Sequence, residues 1–99
     1  MILFAYSIYD TASGAYMRPF MMQSDGQAIR SFTDIAMDAE HEIGKHPEDY
    51  ALFRIGQFND NKGELVGEDR ECLITALEAV AKTRRVDADQ QADLLKQVN

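Results

Sequence analysis

Tryptophan is absent from this 99-residue chain, proline occurs twice and cysteine once. A lone Cys72 cannot close an internal disulfide, which fits a reducing compartment. It falls within a helical apolar pattern and reads as a core residue. No apolar run approaches the roughly 20 residues that a membrane span needs, so no membrane partner is expected. The run from Ile2 to Tyr9 lacks a basic leader and a small-residue cleavage site, which argues against a signal peptide. Positive charge is scarce as well: 10 Lys and Arg stand against 17 Asp and Glu, a net charge of −7. That balance argues against indiscriminate binding to nucleic acid and leaves room for a local basic patch only. The acidity is concentrated in Asp34, Asp38, Glu40, Glu42, Glu48 and Asp49, with Lys45 the single cation among them, whereas residues 1–33 are neutral.

What is present is enough for one domain. The apolar share is 45%, normal for a globular protein, and a chain of this length buries about 60–70% of its unfolded surface. Ile2 to Tyr9 alternates as a strand, with Phe4, Tyr6 and Ile8 on one face and Leu3, Ala5, Ser7 and Tyr9 on the other. Asp10 to Gly14 is turn chemistry, and Ala15 to Gln23 reads as a second strand, placed by Pro19 at an edge or a bulge. Ser24 and Gln27 form a capping box for a helix carrying Ile29, Phe32, Ile35, Ala36, Ala39 and Ile43, with Gly44 just past its end. Tyr50 to Phe58 is a third strand, Asn59 to Gly63 a second hairpin turn, and Glu64-Leu65-Val66 a short return strand. A helix is then expected from about Asp69 to Lys82, followed by a hinge at Lys82–Val86 and a short last helix bearing Ala92, Leu94, Leu95 and Val98.

A shift of 49 positions lays Tyr9-Asp10 on Phe58-Asn59 and Gly14 on Gly63, and each half reads strand, turn, strand, helix. The expected class is α+β, ββαββα plus a short C-terminal helix. Two β-hairpins form a mostly antiparallel sheet with helices packed on one face. Residues 1–82 make the domain and 83–99 a helical tail. The tail stripe is too short to stand alone and is expected to be covered by a partner copy, making a homodimer.

Catalytic motifs fail. In His41-Glu42-Ile43-Gly44-Lys45-His46 the histidines are five apart rather than four, and Gly44 interrupts the helix, so the rings do not share a face and no metal is expected. The glycines are scattered singly, with no phosphate loop. Cys72 has no histidine near in sequence and no orienting third group. The acidic run lacks the spacing of a calcium loop. No catalytic residues, no cofactor and no enzyme activity are expected.

The remaining signal lies on the strands. Pairing Tyr9 with Tyr16 puts Tyr9, Tyr16, Arg18 and Phe20 on a face turned away from Phe4 and Ile8, and Leu52, Arg54 and Phe58 alternate in the third strand. Aromatic rings stack on unpaired bases and arginines hold phosphates, so such a surface fits single strands. A protein interface on the same face is the other reading.

Two blocks of sequence carry a resemblance. Ser24-Asp25-Gly26-Gln27-Ala28-Ile29-Arg30-Ser31-Phe32 and His46 to Phe58, together with Tyr6 to Asp10 and the spacing between them, resemble the small nonstructural protein of gokushovirus-type microviruses (Microviridae), over residues 3 to 66. The resemblance implies an early, DNA-binding bacteriophage protein of viral DNA replication. Its role would be to aid the change from duplex to single-strand synthesis in the host bacterial cytoplasm. Arg30 and Arg54 have no structural role visible in the sequence and join Tyr9, Tyr16, Arg18, Phe20 and Phe58 as candidate nucleic-acid contacts. The alternative is a regulatory adaptor whose acidic helix docks a viral or host replication protein or a capsid protein.

Overall fold

Two turns of the same design shape the sheet. Asp10 and Asn59 each close a five-residue reversal: the Gly14 and Gly63 amides donate to the Asp10 and Asn59 carbonyls, both at 2.8 Å. The Asp10 and Asn59 side chains accept from the backbone two residues on, at 3.0 Å each. Gly14 and Gly63 have φ of +69° and +66°, the left-handed region where a side chain is strained. The 49-residue correspondence is therefore a correspondence of turns.

A computed structural model describes the backbone of residues 1–98 and the side chains of residues 1–95. Its order is β1 (Ile2–Asp10), β2 (Ala15–Tyr16), β3 (Phe20–Met22), α1 (Asp25–Ala36), α2 (Glu42–Lys45), a 3-10 turn (Pro47–Asp49), β4 (Tyr50–Asn59), β5 (Glu64–Thr75) and α3 (Ala76–Val98). The sheet runs β2-β1-β4-β5 with β3 also beside β1, all antiparallel. Helices cover one face. Tyr6, Ile8, Leu52 and Ile74 from the sheet meet Ala28, Phe32 and Ala36 of α1, Ile43 of α2, and Ala76, Ala79 and Val80 of α3. The fold is thus the expected α+β arrangement, and Tyr9 pairs with Tyr16 as expected. The second strand is broken at Met17–Pro19, where proline has no amide to give to the ladder.

Several elements differ from expectation. Asp69 to Thr75 is strand, not helix: β5 runs 12 residues against β4. Leu73, Ile74, Leu77 and Val80 imitate a helical stripe, yet the first two belong to β5 and the last two to α3. Cys72 accordingly lies exposed in β5, opposite Phe53, and not in the core. No hinge separates two late helices, since α3 passes unbroken through Lys82–Val86. Of the tail stripe, Leu94 and Leu95 are exposed, the Val98 side chain lies outside the described residues, and so does Asn99.

Helix α1 begins as expected, with Ser24 Oγ accepting from the Gln27 amide at 3.2 Å, but the Gln27 side chain accepts from Gln23 rather than from Ser24. It ends at Ala36, about two turns early. Asp38 Oδ1 accepts from the Glu40 amide at 2.9 Å and folds the chain back, and His41 Nδ1 then caps α2 by accepting from Ile43. Ile43 thus reaches the core from a separate short helix. Gly44 is not a left-handed cap; it gives room to the Asp38 carbonyl, which a Cβ there would strike.

One side chain ties these layers together. Arg54, on the helix-facing side of β4, donates from Nη1 to Asp25 Oδ2 at 2.8 Å, and Asp25 Oδ1 accepts from the buried Tyr6 hydroxyl at 2.8 Å. Nη2 of Arg54 lies 3.4 Å from Glu71 and 3.8 Å from Glu68, and the guanidinium sits 5.3 Å from the centre of the Phe4 ring. The first residue of α1 is thereby fixed to three strands. Burial opposes the arginine's charge, and the hydrogen bond and charge of Asp25, with Glu68 and Glu71, more than offset it, so its pKa is raised.

Two predictions follow from this packing. Gly44→Ala lowers stability by about 1–3 kcal/mol in urea unfolding, as a forced overpacking does. Gly26→Ala, in the first turn of α1, where an added Cβ meets only Ser24 Oγ at 3.9 Å, is neutral or stabilising by up to about 1 kcal/mol. Equal effects of the two would contradict the close approach at Gly44. The second concerns alkali. Burial, then the hydrogen bond to Asp25 and its charge, raise the Tyr6 pKa well above the ordinary value of 10.0. The folded state therefore holds a proton that the unfolded chain releases above about pH 10. This contribution to stability is complete below that pH and is lost as the pH climbs beyond it. Unfolding free energies measured from pH 8 to pH 11 should fall less steeply for Tyr6→Phe than for the natural chain; parallel curves would mean that Tyr6 is not so held.

Candidate nucleic-acid interface

The face of the sheet away from the helices is built by the odd positions of β1 and their cross-strand partners. Tyr9 and Tyr16 pair directly, with ring centres 4.7 Å apart, and Phe53 meets both edge-on at 6.3 Å and 5.5 Å. Arg70 of β5 reaches across this cluster, its guanidinium 5.7 Å from the Tyr16 ring centre and Nη1 3.3 Å from the Tyr16 hydroxyl. Among the described residues Arg70 has no ion-pair partner. Beneath the rings Ser7 is buried, and its hydroxyl donates to the Met17 carbonyl at 2.6 Å, which fixes the crossing from β2 to β3. Further along, the same face sinks into an apolar hollow of about 270 Å³ lined by Ala5, Pro19, Met21, Ile55, Gly56 and Leu65.

A bulge in β4 decides which residues reach this face. The β1–β4 register shifts between Ala5/Tyr6, opposite Gly56 and Arg54, so Ile55 has no partner. Alternation is reset there. Phe58, opposite Leu3, stays on the outer face, whereas Leu52, opposite Ile8, and Arg54, opposite Tyr6, turn to the helix side. The expectation that Leu52, Arg54 and Phe58 share the outer face is thus corrected: Leu52 is core, Arg54 is bound to three carboxylates, and Phe53 takes the outer position expected of its neighbours. Phe20 is also corrected. It stacks on Tyr6 with ring centres 5.7 Å apart and packs against the core.

Of the candidate contacts, then, Tyr9 and Tyr16 come together, and Phe58 lies on the same face some five residues along β4. Arg18 is exposed at the rim of a groove between the β2–β3 edge and α1, with Tyr16, Met17 and Ile35. Arg30 is exposed on α1 beside Gln23, Gln27 and Leu3, away from the aromatic cluster. Phe53 and Arg70 were not foreseen. An isolated glycine within a strand is a bulge signal, and Gly56 could have shown that the faces exchange. Arg70 sits in Gly67-Glu68-Asp69-Arg70-Glu71, a run with little strand propensity, and nothing local marks it.

The other groups with chemical potential are modest. Partial desolvation of the surface thiol by its neighbours first, then the Glu78 charge, raise the Cys72 pKa, which favours the less reactive protonated form. His46 lies 3.9 Å from Glu42 and 3.6 Å from Glu48, with Asp49 nearby, all at the surface except the half-buried Asp49. His41 is turned to its capping role, so the two histidines do not converge. No helix among the described residues is long and apolar enough to cross a membrane.

Comparison with known proteins places the chain. The family model described as phage ORF5 protein matches residues 3–79. Protein ORF5 of Chlamydia phage 1 is 34% identical over 73 residues, covering 70% of this chain and 76% of that protein. No solved structure matches it. The matched span takes in all of the sheet but its first residue, α1, α2 and the start of α3, and by it the chain belongs to the phage ORF5 protein family, as a phage protein of the Microviridae type.

Proposed function

We propose that this chain is a phage accessory protein that holds single-stranded DNA during viral replication in the host cytoplasm, at the step where duplex synthesis gives way to single strands. The observation that carries the reading is the cluster of Tyr9, Tyr16 and Phe53 under Arg70, which has no ion-pair partner among the described residues, on the sheet face away from the helices. Rings of this kind stack on bases whose faces are free, and a duplex hides those faces. The arginine stacked on the rim of the cluster is placed to meet a phosphate. The protein's net charge of −7 keeps such contact local, because the surrounding field does not draw in nucleic acid. No reacting group enters this role; the protein binds and presents a strand.

Fluorescence anisotropy with labelled single-stranded and duplex oligonucleotides across a salt series tests the proposal. Single strands bind and duplex does not. Tyr16→Ala and Phe53→Ala each weaken binding by about 1–3 kcal/mol, the worth of one base stack. Each phosphate contact on a single strand contributes about −0.7 to the log–log salt slope, so two or three contacts give a slope of roughly −1.5 to −2. Arg70→Ala makes it shallower by about 0.7. Absence of oligonucleotide binding at low salt would refute the proposal. The adaptor reading would then stand on Asp34, Asp38 and Glu40, which are all exposed at the end of α1 and just beyond, and neutralising Asp34 and Asp38 should abolish capture of a basic replication protein.

A further inference from the structure

Helix α3 is 23 residues long, about 35 Å at the usual rise, and only its first two turns have cover. Ala76, Ala79 and Val80 are buried and Thr83 is half-buried, whereas every residue from Arg84 to Leu95 is exposed. Most helical stability in proteins comes from packing an apolar face, and a stretch of about 12–15 residues is marginal alone in water. The projecting half therefore calls for a surface that its own domain does not supply.

The sequence of α3 shows which side that surface meets. At 100° per residue the buried positions point one way. A second line, made of Leu77, Ala81, Ala88, Ala92 and Leu95, runs about 130° from them, more than a third of a turn. Leu77 belongs to the packed part of the helix, beside buried Ala76 and Ala79, and is nonetheless 53% exposed; Leu95 is 69% exposed. The line is thus turned away from the domain along the whole helix. Its steps of four, seven, four and three residues approach those of a coiled-coil seam, with leucine at both ends, alanine between, and Arg84 and Arg85 flanking the one open step between Ala81 and Ala88.

We propose that a second copy of this chain covers this line, with two α3 helices packed antiparallel about a two-fold axis near Val86. Charge fixes the direction. Lys82, Arg84 and Arg85 precede Val86, and Asp87, Asp89 and Asp93 follow it. In the antiparallel pair Leu77 meets Leu95 of the second copy, and the cationic turn of each helix lies over the acidic turns of the other, with Arg85 on the same side of the seam as Asp89 of the second copy and about one turn or less from it. A parallel pair would set arginine against arginine and aspartate against aspartate, which costs stability and partner choice. The contact is isologous and closes at two copies. It uses no residue of the aromatic cluster, so it stands or falls apart from what the sheet binds.

Sedimentation equilibrium of the full chain should show a dimer. Leu95→Asp should raise its dissociation constant about 100-fold or more, because a charge replaces a buried methyl contact. Arg85→Asp and Asp89→Arg should each weaken the dimer roughly tenfold, and the two together should restore it. Cross-linking reads the direction. With Cys72→Ser as background, Leu77→Cys chains and Leu95→Cys chains should form a disulfide when mixed and none when oxidised separately. Self-linking of Leu95→Cys chains would overturn the antiparallel arrangement. A monomer at protein concentrations up to about 1 mM, or a dimer indifferent to Leu95→Asp and to both charge reversals, would overturn the proposal.

Discussion

The guanidinium of Arg54 holds together parts of the chain that are far apart in sequence. Asp25 opens α1, and Glu68 and Glu71 lie in β5, and all three converge on a single side chain of β4, while Tyr6 of β1 is tied in by its hydrogen bond to Asp25. Three carboxylates and one partly buried arginine are costly to remove from water, and the cost is offset only while the geometry is complete. Breaking such a set from one side leaves charge buried without a partner, which typically costs more than the set gains by existing. The position of α1 over the sheet, the turning of Arg54 to the helix side by the bulge at Ile55, and the long reach of β5 along β4 all depend on this arrangement. Phe32, Ala28 and Ala36 can then interdigitate with Tyr6, Ile8 and Leu52.

Because the helix side of the sheet is committed in this way, the other side is left to the solvent. The same bulge that sends Arg54 inward keeps Phe53 outward, next to Tyr9 and Tyr16. An outer aromatic cluster and an internal ion-pair cluster are thus the two consequences of one inserted residue. The acidic charge, meanwhile, lies mainly beyond α1 and along β5. On β5, charged residues also discourage the exposed strand edge from pairing with other chains.

What the sequence disclosed was local chemistry. The Asp10–Gly14 and Asn59–Gly63 turns, the Ser24 cap, the break at Pro19 and the pairing of Tyr9 with Tyr16 are all set by residues within a few positions of one another. The parts that escaped are set at a distance. Leu73, Ile74, Leu77 and Val80 satisfy a helical period, and only the ladder with β4 shows that the first two are strand. Arg54 looked free of structural duty because its partners are 17 and 29 residues away. Strict alternation placed Leu52, Arg54 and Phe58 together, and one unpaired Ile55 divides them. Gly44 in sequence is a helix stop; in three dimensions it is room for a carbonyl that arrives from Asp38.

The central claim is that the two faces of the sheet have separate duties, one closed by the Arg54 cluster and one open to a strand. Resonance assignments of the full chain, followed during titration with a short single-stranded oligonucleotide, test it most directly. The account predicts that the aromatic signals of Tyr9, Tyr16 and Phe53 and the guanidinium of Arg70 shift together, while Tyr6, Asp25 and Arg54 stay in place. Shifts confined to α1 or to the Arg54 cluster, with the outer aromatics unmoved, would contradict it.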